Sequence, residues 1–204
     1  MSNPLETEPR TSAGEEAALV ERAQQGDLSA FDQLVLRHQD VVFAVALRML
    51  GNADEAQDIA QDVFVRAFRA LGTFRREAKL STWLISITMN LCRNRRRWWA
   101  RRRAVIAASL DDPIEPGAEP AAAQVADPSP GPAERAQHRE LQRQLVNALQ
   151  MLEEPFRSVI VLRDIEGYSY EEIAQMLRCQ VGTVKSRISR ARLQLRALLD
   201  GQIQ

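Results

Sequence analysis

An all-α fold of two helical domains joined by a linker is what this sequence predicts, and three observations carry it. Apolar residues recur every three or four positions in both halves of the chain and nowhere alternate with period two, so helices are expected and a sheet is not. Six of the nine prolines (Pro113, Pro116, Pro120, Pro128, Pro130 and Pro132) fall in one stretch rich in Ala and acids, which suits neither a helix interior nor a core. The 204 residues, 45% hydrophobic and 26% charged, suffice for two small domains and exclude wholesale disorder. The expected layout is a disordered tail over 1–14, a first domain over 15–106, a linker over 107–133 and a second domain over 134–204.

In chain order, the first helix is expected from about Glu15 to Gln25, stopping at Gly26. Asp27 is a good N-cap for the next, which carries Phe31, Leu34, Val35, Val42, Ala46 and Met49 before Gly51. A third runs from near Asp54 to Gly72. Glu55, Asp58 and Asp62 lie early in it and Arg66 and Arg69 late, as the helix dipole favours. Its apolar stripe is Ile59, Val63, Phe64, Ala67, Phe68 and Leu71. A loop over 73–80 leads to Ser81, a plausible cap for a long helix through Trp83, Ile87, Asn90 and Leu91, with Trp83 in the core.

In the second half, a helix from about Glu134 to Leu152 precedes Pro155, placed for the first turn of a short helix closed by Gly167. Ser169 and Glu172 have capping-box spacing, with Tyr170, Ile173, Ala174 and Leu177 facing inward. After the turn Arg178-Cys179-Gln180 comes a longer helix whose apolar residues are Val181, Val184, Ile188, Ala191, Leu195 and Leu198. At 100° per residue, Ser186, Ser189 and Leu193 point away from that stripe, flanked by Lys185 and Arg190. A short helix, a tight turn and a helix anchored on one side make a helix-turn-helix, whose polar side can enter the major groove. The turn lacks the glycine often found there.

Net charge is zero, yet the signs are segregated. Ala78 to Leu110 holds eight bases and no acid, Ala104 to Glu134 six acids and no base, and Ile173 to Leu199 six bases and no acid. Two basic segments around an acidic one suggest two sites for a polyanion, with a linker that avoids it. In the first, Arg93, Arg95, Arg96, Arg97, Arg101, Arg102 and Arg103 crowd around Trp98 and Trp99. A solvated face explains one such run; two, one on a recognition-like helix, point to nucleic acid. Trp98 and Trp99 either stack on unpaired bases or pack against the linker or another protein.

Other classes fare worse. The longest apolar stretch, around Val41 to Leu50, is interrupted by Arg48 and is too short to span a membrane. The first dozen residues are polar and are not expected to form a signal peptide. Cys92 and Cys179 have no metal-ligand spacing and fit packing positions in a reducing compartment. With His38 and His138 the only histidines, most zinc and triad chemistries lack parts, and neither cofactor nor catalytic residue is expected. Two alternatives remain. One is a stand-alone helix-turn-helix regulator. The other is a metal-dependent enzyme using Asp54, Glu55, Asp58 and Asp62, which the helix dipole explains more simply.

The motifs resemble a known family. Gly167-Tyr168-Ser169-Tyr170-Glu171-Glu172-Ile173-Ala174, followed by Val181-Gly182-Thr183-Val184-Lys185-Ser186-Arg187 and Arg190-Ala191-Arg192, resembles region 4 of bacterial sigma factors. Asp58 through Ala67, with Ser81-Thr82-Trp83-Leu84 through Asn90, resembles region 2. Two such domains with no region 3 between them are the layout of extracytoplasmic-function sigma factors. The resemblance implies a cytoplasmic protein that binds core RNA polymerase, directs it to promoter DNA and promotes melting. It places Lys185, Ser186, Ser189 and Arg190 on the −35 element. Phe74, Arg75, Arg76, Lys79, Asn90 and Arg93 fall at the −10 non-template strand. Asp54, Asp58, Gln61, Asp62 and Phe64 fall on the clamp helices of the largest polymerase subunit, and the second domain meets the flap of the second-largest. An anti-sigma partner is also implied, and direct membrane insertion is not. Asn94 stands where many relatives have an acid. The linker would span about 30 Å as a coil and roughly 90 Å if straight. The two promoter elements lie roughly 70 Å or more apart, so it must be partly extended.

Overall fold

The computed structural model describes residues 10–109 and 132–200, and every regular element among them is helical. In the first unit α1 (Arg10–Gln24), α3 (Ala53–Ala70) and α4 (Leu80–Ser109) pack around α2 (Leu28–Leu50). Leu34, Val42, Val45, Ala46 and Met49 of α2 meet Ile59, Val63 and Ala67 of α3 and Leu84, Ile85, Met89 and Cys92 of α4 in the core. The second unit contains α5 (Pro132–Met151), α6 (Glu154–Ile160), α7 (Tyr170–Leu177) and α8 (Val181–Asp200). α6 continues as π-helix over Val161–Ile165.

The caps follow from local chemistry. Asp27 Oδ1 accepts from the Ala30 amide at 3.2 Å and the Ser29 hydroxyl at 2.6 Å, and Oδ2 accepts from Arg22 at 2.6 Å. Those hydrogen bonds favour the anion and lower the Asp27 carboxyl to about 2. Asn52 caps α3 through the Glu55 amide at 2.9 Å. Ser169 and Glu172 close a reciprocal capping box on α7, at 3.1 and 2.8 Å.

Several boundaries differ from expectation. α1 begins at Arg10, so 10–14 are helical and not part of a disordered tail; residues 1–9 lie outside the described residues. The reason is visible at Glu16, which His38 of α2 holds at 3.0 Å, and at Glu15, paired with Arg37 at 3.4 Å. α3 ends at Ala70 and the chain tightens into a 3₁₀ turn over Leu71–Thr73. α4 starts at Leu80, with the Trp83 amide bonded to the Lys79 carbonyl, so Ser81 lies within the first turn and is not its cap. α4 reaches Ser109 and α5 begins at Pro132, inside the expected linker, of which 110–131 lie outside the described residues. Phe68 is not core: it is 49% exposed, with its ring edge-on to Phe31 at 5.1 Å.

The units meet at the carboxyl ends of two helices. Arg157 of α6 is wholly buried and donates five hydrogen bonds. Nε bonds the Leu149 carbonyl at 2.6 Å, Nη1 the Met49 carbonyl at 2.7 Å and Gln150 Oε1 at 2.6 Å. Nη2 bonds the Gln150 and Leu152 carbonyls at 2.7 and 2.8 Å. The last carbonyls of α2 and α5 lack partners within their helices and carry negative partial charge, so one guanidinium satisfies both ends. Arg96 of α4 adds bonds to Met49 O and Gln150 Oε1 at 3.2 and 3.1 Å, and Gln150 Nε2 donates to Arg48 O at 2.9 Å. Gly51 closes α2 at φ +78°; a Cβ there would stand 2.7 Å from Gln150, so this joint needs glycine for conformation and for space. Arg48 pairs with Glu166 at 2.6 Å, although burial still raises the Glu166 carboxyl above its ordinary value.

Candidate nucleic-acid interface

The sequence of α8 divides the helix into an anchor and a free face. Val184, Ile188 and Ala191 are buried, while Lys185, Ser186, Ser189, Arg190 and Leu193 are exposed on the opposite side. α7 and α6 hold the anchored side. The turn manages without glycine because Arg178 itself adopts the left-handed conformation, φ +52°, and its amide bonds back to Ala174 and Gln175. That is an uncommon backbone for a non-glycine residue. Lys185 Nζ lies 5.8 Å from the Tyr170 ring, and Arg163 4.7 Å from the same ring, so α7 gathers cations beside the free face. Arg192 is held against Asp164 at 2.9 Å.

Residues 71–93 form a second surface. Phe74 stacks on Trp83 at 5.0 Å and 30°, a half-buried pair against the core, while Arg75, Arg76 and Lys79 are exposed. Gln24 of α1 fastens this loop: Nε2 donates to the Leu71 and Phe74 carbonyls, both at 2.9 Å, and Oε1 accepts from Arg76 at 3.3 Å. Asn90 is half-buried on α4, one turn before Arg93. The second unit reaches this surface, for Arg93 pairs with Glu154 at 3.2 Å and Thr82 donates to Glu172 at 3.4 Å. The Ser169 amide, with Lys79 contributing, holds the Glu172 carboxyl below its ordinary value.

On α3, Asp54, Asp58, Gln61 and Asp62 are exposed and Phe64 is half-buried against the core. Arg95 stands 3.8 Å from Asp58. The acids do not converge: among the described residues no three of His, Cys, Asp and Glu are placed to hold a metal ion.

These two surfaces fall in separately matched segments. The family model for sigma-70 region 2 matches residues 34–104 and that for sigma-70 region 4 residues 142–195. The chain belongs to the sigma-70 family, among the extracytoplasmic-function sigma factors. It is 40% identical over 175 residues to the RNA polymerase sigma-H factor of Pseudomonas aeruginosa, covering 85% of this chain and 88% of that one. With the ECF RNA polymerase sigma-E factor of Escherichia coli K12 it shares 37% over 189 residues, 91% of this chain and 93% of the relative. Two solved structures are similar. CnrH, in complex with the cytosolic domain of CnrY, has a TM-score of 0.64 at 32% identity, over 92% of this chain and 98% of that one. The Bartonella quintana sigma factor RpoE, in complex with the anti-sigma factor NepR, has 0.60 at 30%, over 83% and 96%. A sigma factor binds core RNA polymerase and directs it to promoters, so the stand-alone regulator is set aside. No helix among the described residues is long and apolar enough to cross a membrane.

In this sigma factor the arginine run divides in two. Arg93, Arg95 and Arg96 are half-buried and engaged by Glu154, Asp58 and the α2–α5 joint. Burial lowers the Arg96 pKa. Arg97, Arg101, Arg102 and Arg103 are exposed. Sequence reasoning missed the roles of Arg157 and Gln24, which position the two surfaces. Neither has a local signature, since each acts on backbone carbonyls of other helices.

Proposed function

We propose that this sigma factor reads the −35 element with Lys185, Ser186, Ser189 and Arg190 of α8, and captures the unpaired −10 non-template strand with Phe74, Arg75, Arg76, Lys79, Asn90 and Arg93. The observation that carries the reading is the free face of α8, polar and cationic opposite Val184, Ile188 and Ala191. In this reading the first domain, ending near the close of α4, carries polymerase and −10 binding, and the second, beginning with α5, carries −35 binding. Asp54, Asp58, Gln61, Asp62 and Phe64 of α3 dock on the clamp helices of the largest polymerase subunit, and the second domain meets the flap of the second-largest. The chain supplies no bond chemistry and works in the cytoplasm, where the polymerase is. Melting proceeds by capture: unstacking a base costs a few kcal/mol, and a pocket with stacking worth about 1–3 kcal/mol per base offsets it. Because Arg93 is paired with Glu154 in the closed arrangement, the second unit has to withdraw before Arg93 meets DNA. A partner that holds the units together would inhibit, which fits an anti-sigma factor such as NepR, bound to RpoE.

The test is gel filtration of the purified chain with and without bacterial core RNA polymerase. Stoichiometric co-elution of a chain that is otherwise monomeric supports the reading; a stable dimer that ignores polymerase yet shifts duplex DNA overturns it.

A further inference from the structure

The last turns of α4 whose side chains are described form an arm. Residues 97–103, Arg-Trp-Trp-Ala-Arg-Arg-Arg, are exposed without exception, so among the described residues no helix buries a face of this segment. Trp98 is 43% and Trp99 37% exposed. Two tryptophans left in water are costly and ask for an occupant. They are also ordered against each other: their rings meet edge to face at 4.7 Å and 75°, and the Arg102 guanidinium lies 5.2 Å from the Trp98 centroid. Trp98 thus has Trp99 as a fixed neighbour and, over its ring, the guanidinium of an exposed arginine that a base can displace. Arg97 and Arg101 lie seven and eleven residues beyond Asn90, on the same helix face, and Trp98 borders that face.

We infer that this arm is a stacking platform for single-stranded DNA, with Trp98 as the stacking ring once Arg102 turns from its face to a phosphate, Trp99 as the neighbour that fixes its orientation and the exposed arginines as phosphate contacts. The occupant follows from charge and shape together. Four exposed arginines with no acid among them select a polyanion, and partly exposed indole rings select one whose bases are unpaired, since duplex bases offer no free face. Trp98 lies eight residues beyond Asn90, about 12 Å along the axis, the rise of three to four stacked bases. The inference rests on the −10 assignment for its place on the promoter: the arm takes bases next to those that Asn90 receives and enlarges the captured segment. Unlike Arg93, none of its residues is paired with a described residue of the second unit, so the arm does not need the units to separate as Arg93 does.

That difference allows a test on the free full-length chain. Binding of a labelled mixed-sequence 12-nucleotide single strand is followed by anisotropy and by tryptophan quenching, with the matching duplex as competitor. The single strand should bind several-fold tighter than the duplex. Trp98→Ala should weaken it by about tenfold or more, and more than Trp99→Ala does, while Trp98→Phe restores most of the affinity because phenyl still stacks. Engagement of the exposed arginines should give a salt slope of about −2 to −3. Since both rings are exposed, the variants should keep the parental melting curve. Equal affinity for single strand and duplex, or a Trp98→Ala variant that binds as the parent does, overturns the inference. So does a variant that keeps single-strand binding and loses co-elution with core polymerase, which would make the tryptophans a polymerase contact. Parental co-elution alongside weakened single-strand binding supports it; loss of co-elution by the parent itself would count against the sigma assignment and not against the arm.

Discussion

Replacing Arg157 tests the account of the joint between the units most directly. All five donors of its guanidinium are used, and every acceptor is a neutral oxygen. In Arg157→Ala, Met49 O and Gln150 Oε1 keep a bond from Arg96 and the Leu149 carbonyl keeps the Leu152 amide at 3.1 Å, but the Gln150 and Leu152 carbonyls at the end of α5 lose the bonds that Arg157 makes to them. Each buried carbonyl left unpaired costs about 1–3 kcal/mol. Because neighbouring losses do not add and water can enter the vacated space, the expected destabilisation is about 3–5 kcal/mol. With a urea dependence of about 1–3 kcal/mol per M, the unfolding midpoint should fall by roughly 2 M, read by far-ultraviolet circular dichroism on the full chain. Arg157→Lys keeps the charge but brings three donors on one nitrogen, so it should recover less than half of the loss. The loss should persist between about 0.1 M and 1 M salt, because a wholly buried group bonded to neutral carbonyls is hardly screened. A loss under about 1 kcal/mol, or a lysine variant as stable as the parent, would refute the reasoning.

Other outcomes follow from the same geometry. Arg190→Ala should weaken −35 binding by about 1–3 kcal/mol and relax specificity there, which a competition series with substituted −35 duplexes measures; unchanged preference contradicts the assignment. Asn90→Ala should spare duplex binding and impair open-complex formation, seen as reduced permanganate reactivity of the −10 thymines in the holoenzyme. The Asp27 carboxyl is depressed in the folded chain, from 3.8 to about 2, so its stabilisation is present above pH 4 and lost as pH falls toward 2. Asp27→Ala should therefore lose part of the acid dependence of a melting-temperature series over that interval. Burial raises the Cys92 thiol to about 12, so iodoacetamide at about pH 8 should leave Cys92 unlabelled in the native chain and modify the half-exposed Cys179, as peptide mass spectrometry would read.

The sequence by itself determined the helices and the polar face of α8. Periodicity is local, so Val184, Ile188 and Ala191 announce their buried side and thereby place Lys185, Ser186, Ser189 and Arg190 on the other. Capping is local as well: Asp27 and the Ser169–Glu172 pair act within three residues of themselves. Failures of the sequence reading occur where the partner is remote. α1 extends back to Arg10 alongside α2, whose His38 and Arg37 meet Glu16 and Glu15 22 residues away. Phe68 fits an apolar stripe by spacing, yet its ring meets Phe31 of α2 edge-on and half of it stays in water. The arginines show the limit most plainly. Arg157, Arg96, Arg93 and Arg97 have the same side chain, and in sequence the last three are members of one run. Only the tertiary structure makes Arg157 a buried clasp on two helix ends, Arg96 its half-buried helper, Arg93 a partner of Glu154 and Arg97 a free cation on the arm. The physical reason is that a guanidinium's role is fixed by which acceptors and how much water surround it, and those are set by helices far apart in the chain.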